Sequence, residues 1–164
     1  MNIFLFGGKG VGKSFAIDRA LESLGLPASG FRTFFRGDRS LPDRRLIITN
    51  VKTSEELTAV SFFENTPDVN TEAFDFFGAA ALAYYDDTAF ILMDELGLFE
   101  SGACAFRAAV FSSLDSQVPV LGVVRENAHF WLDALRSRPD TLLLQITYEN
   151  RDRIPDEILK NLFK

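Results

Sequence analysis

One octapeptide constrains this chain more than any other part of it. Gly7-Gly8-Lys9-Gly10-Val11-Gly12-Lys13-Ser14 fits G-x-x-x-x-G-K-[ST] in full. It follows an apolar run at residues 2–6 that reads as a buried strand, and it opens a helical pattern from Lys13 to Leu24 that Gly25 and Pro27 stop. Glycines in such a turn let successive N–H groups face inward, and the helix N-terminus adds partial positive charge, so a polyphosphate is cradled. In that setting Lys13 reaches the β- and γ-phosphates and the Ser14 hydroxyl ligates Mg²⁺. A glycine-rich turn that merely precedes Lys-Ser would satisfy the letters, but it would not require a strand before and a helix after.

A phosphate loop of this kind needs a second group to hold the metal, usually an Asp at the end of an apolar strand. The segment 88–93 is continuous apolar sequence ending in Asp94-Glu95, and it is the one strand pattern in the chain that ends so. Asp94 is therefore the candidate metal-associated carboxylate. Glu95, beside the terminal phosphate, is the candidate general base that orients or deprotonates water. The bland alternatives are a surface Asp at a strand end and a solvated glutamate opening a loop.

Further strand patterns fall at 31–35, 46–51, 57–63, 118–124 and 141–147, with helical patterns at 71–85, 104–114, 127–136 and from Pro155 towards Phe163. Asn70 or Thr71 is available to cap the second helix. Three early strands without a helix between them predict antiparallel additions, and later alternation predicts a parallel sheet covered on both faces. With 164 residues and no repeat or linker, the expectation is a single α/β domain over 1–164.

Composition bounds the setting. The formal net charge of −6 argues against non-specific nucleic-acid binding, no apolar run reaches the roughly 18–20 residues of a membrane span, and the apolar run at 2–6, without a basic flank or a small-residue cleavage site, leads us to expect no secretory signal. Cys104 is the sole cysteine, so a reducing, cytoplasmic location is expected. Charge is uneven: residues 1–50 hold 8 Lys+Arg against 4 Asp+Glu, whereas residues 51–100 hold 1 against 11. Arg125, after strand 118–124, either contacts the γ-phosphate or is a solvated loop arginine. Arg32, Arg36, Arg39, Arg44 and Arg45 either surround an anion or solvate a loop. His129, Cys104 and the phenylalanine pairs 34–35, 62–63 and 76–77 read as structural or core.

Together these patches resemble the small nucleoside-triphosphatase family first described in thermophiles. They are the loop Gly7–Ser14, Asp94-Glu95-Leu96-Gly97 with Glu100, Gly30-Phe31 with Thr33, Pro119-Val120-Leu121, and the tail Ile146-Thr147-Tyr148-Glu149-Asn150-Arg151-Asp152. The resemblance implies a three-layer αβα P-loop fold, mostly parallel with added antiparallel strands, and slow Mg²⁺-dependent hydrolysis of several nucleoside triphosphates. It implies Glu95 as catalytic glutamate, Asp94 as the Mg²⁺-associated acid, and Asn150-Arg151 as a loop near the base. Leu98-Phe99 stands where that family usually shows lysine-methionine, and the basic insert expected between Asn50 and Asn70 is absent. The expectation is thus a monomeric nucleoside triphosphatase with broad base tolerance. Its rivals are a kinase that binds an acceptor near the arginine-rich loop 32–45 and a nucleotide-dependent interaction module.

Overall fold

In the computed structural model the described residues are 1–164 except Arg39, Tyr85, Asn127 and Ala128. The chain runs β1 (Asn2–Phe6), α1 (Lys13–Leu24), β2 (Ala28–Arg36), β3 (Arg45–Asn50), β4 (Glu56–Phe63) and β5 (Thr66–Val69). A π-helical segment (Ala73–Gly78) then continues into the short α2 (Ala79–Ala81). After these come β6 (Phe90–Leu96), a 3₁₀ turn (Phe99–Gly102), α3 (Cys104–Leu114), β7 (Val120–Val124), α4 (Phe130–Arg136), β8 (Thr141–Gln145) and α5 (Ile154–Asn161).

The eight strands form one sheet in the order β5-β4-β3-β2-β6-β7-β1-β8. The strands from β2 to β8 in that order pair in parallel, whereas β2-β3, β3-β4 and β4-β5 pair antiparallel. The split follows from the connections. Parallel neighbours need a crossover helix and antiparallel neighbours need only a turn, and residues 28–69 contain no helix.

Side-chain alternation assigns the two faces. On β1, Ile3 and Leu5 join one apolar cluster with Ile17 of α1 and Ile158 of α5, while Phe4 joins the other with Phe106 of α3 and Trp131 of α4. On β6, Phe90 and Leu92 face the first cluster, and Ile91 and Met93 face the second. Both faces are thus covered and the architecture is three-layered, as the sequence predicts. Gly122 in β7 lets the Phe4 ring lie across it; a Cβ there would meet Cε1 of that ring at 2.5 Å and the Met93 carbonyl oxygen at 2.8 Å.

Several expectations need correcting. β5 has no apolar run and contains Pro67, so nothing announced it; it forms because Glu64 and Asn65, at φ 47° and 66°, make the tight turn that returns the chain along β4. The helix expected at 71–85 ends its regular winding at Ala81, and Tyr85 lies outside the described residues. Its first turn is held by Asn70, whose Oδ1 accepts from the Ala73 N–H at 3.1 Å. Its π winding turns Phe76 outward to 74% exposure, so the 76–77 pair is not wholly core. Phe63 is also exposed, and so is Cys104, contrary to its reading as a core residue. The helix expected from Asn127 begins at Phe130, Asn127 being outside the described residues, and β8 stops at Gln145 rather than Thr147. β6 continues through Asp94 and Glu95 to Leu96 instead of ending before them.

Candidate active site

The phosphate-binding loop leaves β1 at the carboxyl edge of the parallel strands, where ligands collect in open α/β sheets. Gly7 adopts φ 154°, and a Cβ on it would lie 2.4 Å from the Ile146 carbonyl oxygen, so the chain passes there only without a side chain. Gly12 precedes α1, and its carbonyl accepts from the Ala16 N–H at 2.9 Å to start the helix. Lys13 Nζ donates to the Gly7 and Gly8 carbonyls at 2.7 and 2.9 Å, which holds the ammonium over the turn. Ser14 is exposed in the first helical turn.

One strand, β7, separates β1 from β6. That spacing brings the acids to the loop: Asp94 and Glu95 share with Gly8, Lys13 and Ser14 an open cleft of about 830 Å³. Lys9, Gly7, Gly10 and Gly12 line the same cleft. Val11 does not, and packs instead towards the α1 side of the core.

Asp94 is buried, and burial pushes its carboxyl above the ordinary range while Arg32 opposes the shift. Arg32, opposite Asp94 in the β2–β6 register, donates from Nε and Nη2 to the same oxygen, Oδ2, at 3.1 and 3.0 Å. Its Nη1 reaches Asp18 Oδ1 at 2.7 Å. Arg32 is thus a strut between α1 and β6, not a member of an anion-binding loop. Glu95 is half-buried, its backbone N–H donates to Thr33 Oγ1 at 3.3 Å, and its carboxylate pairs with Arg125. Arg125 follows β7, is anchored through its N–H to the Leu96 carbonyl at 2.9 Å, and lines the cleft. Behind this pair Glu100 is wholly buried; it accepts from the Gly97 N–H at 2.9 Å, and burial raises its pKa to about 7.

Asn150 and Arg151 lie beside the loop but outside the cleft. Asn150 braces its own turn: its Oδ1 accepts from the Thr147 N–H at 2.7 Å, and its Nδ2 donates to the Gln145 carbonyl at 2.8 Å. Arg151 packs with its Cδ 3.4 Å from where a Cβ on Gly12 would lie. Tyr148, 62% exposed, comes near Gly10 through its hydroxyl. Sequence reasoning singled out neither Tyr148 nor the Arg32–Asp94 pair. Only the aromatic type of the first and the charge of the second were visible.

The arginines of 32–45 do not converge on one anion. Arg36 pairs with Glu56, Arg45 is exposed on β3, Arg39 lies outside the described residues, and Arg44 alone among the described four lines the cleft. His129 precedes α4 and stacks on Phe130 with ring centroids 4.6 Å apart, away from the cleft. Among the described residues no group of three or more His, Cys, Asp or Glu forms a metal site, and no helix is long and apolar enough to cross a membrane.

A parallel sheet with a phosphate loop after one strand, and an acid pair on the strand next but one, defines the P-loop nucleoside-triphosphatase fold. The chain belongs to the NTPase family, whose sequence pattern matches residues 2–159. It is similar to the nucleoside-triphosphatase THEP1 of Natranaerobius thermophilus, 26% identical over 172 residues that cover 98% of this chain and 96% of the relative. Its fold is similar to the crystal structure of THEP1 from the hyperthermophile Aquifex aeolicus, with a TM-score of 0.82 and 28% identity over the whole of both chains. The solution structure of a human cancer-related nucleoside triphosphatase shares the fold with a TM-score of 0.78 at 22% identity, over 97% of this chain and 95% of that one.

Proposed function

We propose that this chain is a Mg²⁺-dependent nucleoside triphosphatase that hydrolyses nucleoside triphosphates to diphosphate and phosphate with broad tolerance of the base. The observation that carries the reading is the meeting of Lys13, Ser14, Asp94 and Glu95 in one cleft although the acids lie some eighty residues further along the chain. The names of the relatives support the same activity.

The donor set suits Mg²⁺. A hydroxyl and a carboxylate are hard oxygen ligands, both Arg32 bonds fall on one Asp94 oxygen, and Mg²⁺ habitually completes its shell with phosphate oxygens and water. Ser14 and Asp94 would hold the ion, which supplies charge neutralisation on the transferring phosphoryl group. Lys13 leaves its carbonyl partners for β- and γ-phosphate oxygens. Glu95 takes a proton from water, the water oxygen bonds to the γ-phosphorus, and the bond from that phosphorus to the bridging oxygen breaks, releasing nucleoside diphosphate. Arg125 holds Glu95 in place and is placed to exchange part of that contact for the charge that builds on the γ-phosphate.

The whole of 1–164 serves as one nucleotide-binding domain in this reading, acting as a cytoplasmic monomer on free nucleotides. Tyr148 and Arg151, beside Gly10 and Gly12 of the loop, offer flat faces on which a base of any identity can stack, which suits base tolerance. The test is phosphate release from ATP, GTP, CTP and UTP, with Mg²⁺ and with EDTA, beside Lys13→Ala. Mg²⁺-dependent release from at least two nucleotides, lost in the variant, is expected. Release equal in both proteins would overturn the assignment.

A further inference from the structure

The cleft is not confined to the phosphate loop and the acid pair but extends beyond them along the sheet. Tyr148 and Arg151 are not among its lining residues, so a nucleoside resting on them leaves only its phosphates inside. Past Asp94 and Glu95 the cleft continues along β2, β3 and β4 to a wall of Phe35, Leu46, Phe62 and Phe99, which share one face of the sheet; Phe34 borders the cleft from the other face of β2. The rings are ordered by mutual contact. Phe62 meets Phe35 and Phe99 with centroids 5.8 Å apart in each case.

Among the described residues Arg44 stands over the Phe62 and Phe35 rings. The Arg44 guanidinium carbon lies 4.1 Å from the Phe62 ring centre and 5.6 Å from that of Phe35. Its hydrogen bonds, to the Leu41 carbonyl at 3.2 Å and Asn65 Oδ1 at 2.8 Å, both use Nη1. That leaves Nη2 and Nε directed to neither partner, and no carboxylate pairs with Arg44 among the described residues.

The sheet order fixes what this region can hold. In the proposed orientation the nucleoside end lies on the β1–β8 side; the acids sit on β6, and the aromatic wall lies beyond them on β2 to β4. The β-phosphate leaving group therefore points away from the wall, and in-line attack on the γ-phosphorus comes from the wall's side. The substrate's own base cannot occupy it. On the reading of nucleotide orientation given above, we infer that the wall and Arg44 form a second ligand subsite for a planar aromatic anion, next to the position of the attacking water. Flat apolar rings take the ring, and the free edge of a guanidinium takes a phosphate or carboxylate.

Two sources supply that chemistry, a nucleoside monophosphate or an aromatic carboxylate, and the experiment separates them. The full chain is saturated with Mg²⁺ and ADP, whose binding is recorded in the same calorimeter, and is then titrated with AMP or with 4-hydroxybenzoate. Saturable binding of one probe that tenfold more ADP does not displace is expected, and the probe that binds names the source. Arg44→Gln weakens it at least tenfold, and so does Phe35→Ala, which removes a partly buried ring beneath Arg44 and serves if the first variant fails to fold. ADP binding without either probe binding, or probe binding unchanged in both variants, overturns the subsite and leaves the triphosphatase reading standing. Failure of ADP itself to bind would strike that reading instead.

Discussion

Asp94 is claimed from two directions. Arg32 already occupies one of its oxygens and opposes the upward shift that burial imposes on the carboxyl, favouring its charged form. Arg32→Met leaves that charge without its partner. The expected loss of stability is about 2–3 kcal/mol, reduced from the fully buried figure because the guanidinium is partly solvated. Urea denaturation should show the deficit shrink on acidification, as Asp94 protonates and the unpaired charge disappears. If Glu95 is the base, as proposed, Glu95→Gln removes it and keeps the cradle, so turnover should fall about 10²–10⁴-fold while nucleotide affinity from calorimetry changes little. Glu100 gives a further pH signature. Its pKa rises on folding from 4.5 to about 7, so the native state holds the proton more tightly than the unfolded chain. Stability is therefore lost as pH rises from about 4.5 to 7 and the loss levels off above that. Glu100→Gln keeps an acceptor for the Gly97 N–H, and its melting temperature should gain on the parent progressively across that window.

At the scale of elements, much of the chain was readable before any coordinates. The bounds of α1 and α3 follow from helical spacing, and Gly25 closes α1 in a left-handed turn with its N–H bonded to the Leu21 carbonyl. The winding at Ala73–Gly78 was not readable, because an i→i+5 turn shifts which residues face inward while leaving composition unchanged. Nor was the cap of α3: the Phe106 N–H is met by Asp75 Oδ1 at 2.9 Å from an element 31 residues away. The site divides similarly. Gly7–Ser14 and Asp94-Glu95 are local patterns, but the Arg32–Asp94 and Arg125–Glu95 pairs span 62 and 30 residues and exist through strand order alone. The loop after β8 carries an element-level prediction. Asn150→Ala removes two hydrogen bonds that shape the turn, so it should cost about 1–3 kcal/mol in chemical denaturation.

The whole molecule is a sheet with unequal margins. β1, β6 and β7 are covered on both faces, while β5 is a four-residue edge strand with a proline and mostly exposed residues. Native-state hydrogen exchange should find the amides of the three central strands slowest and those of β5 fastest, by several orders of magnitude. Slow exchange in β5 would mean that its outer edge is covered in solution. The antiparallel flank β2 to β5 also carries most of the aromatic end of the cleft, so the more open half of the sheet borders the proposed second subsite.

The interposed strand β7 works as a shim. Two inter-strand steps of about 4.8 Å separate the phosphate turn from the acid pair, a gap set by hydrogen-bonded backbone rather than by any side chain. Gly122 keeps that shim thin. A methyl group there would press on the Phe4 ring and the Met93 carbonyl, one on each neighbouring strand, and would wedge the jaws of the cleft apart from inside the protein.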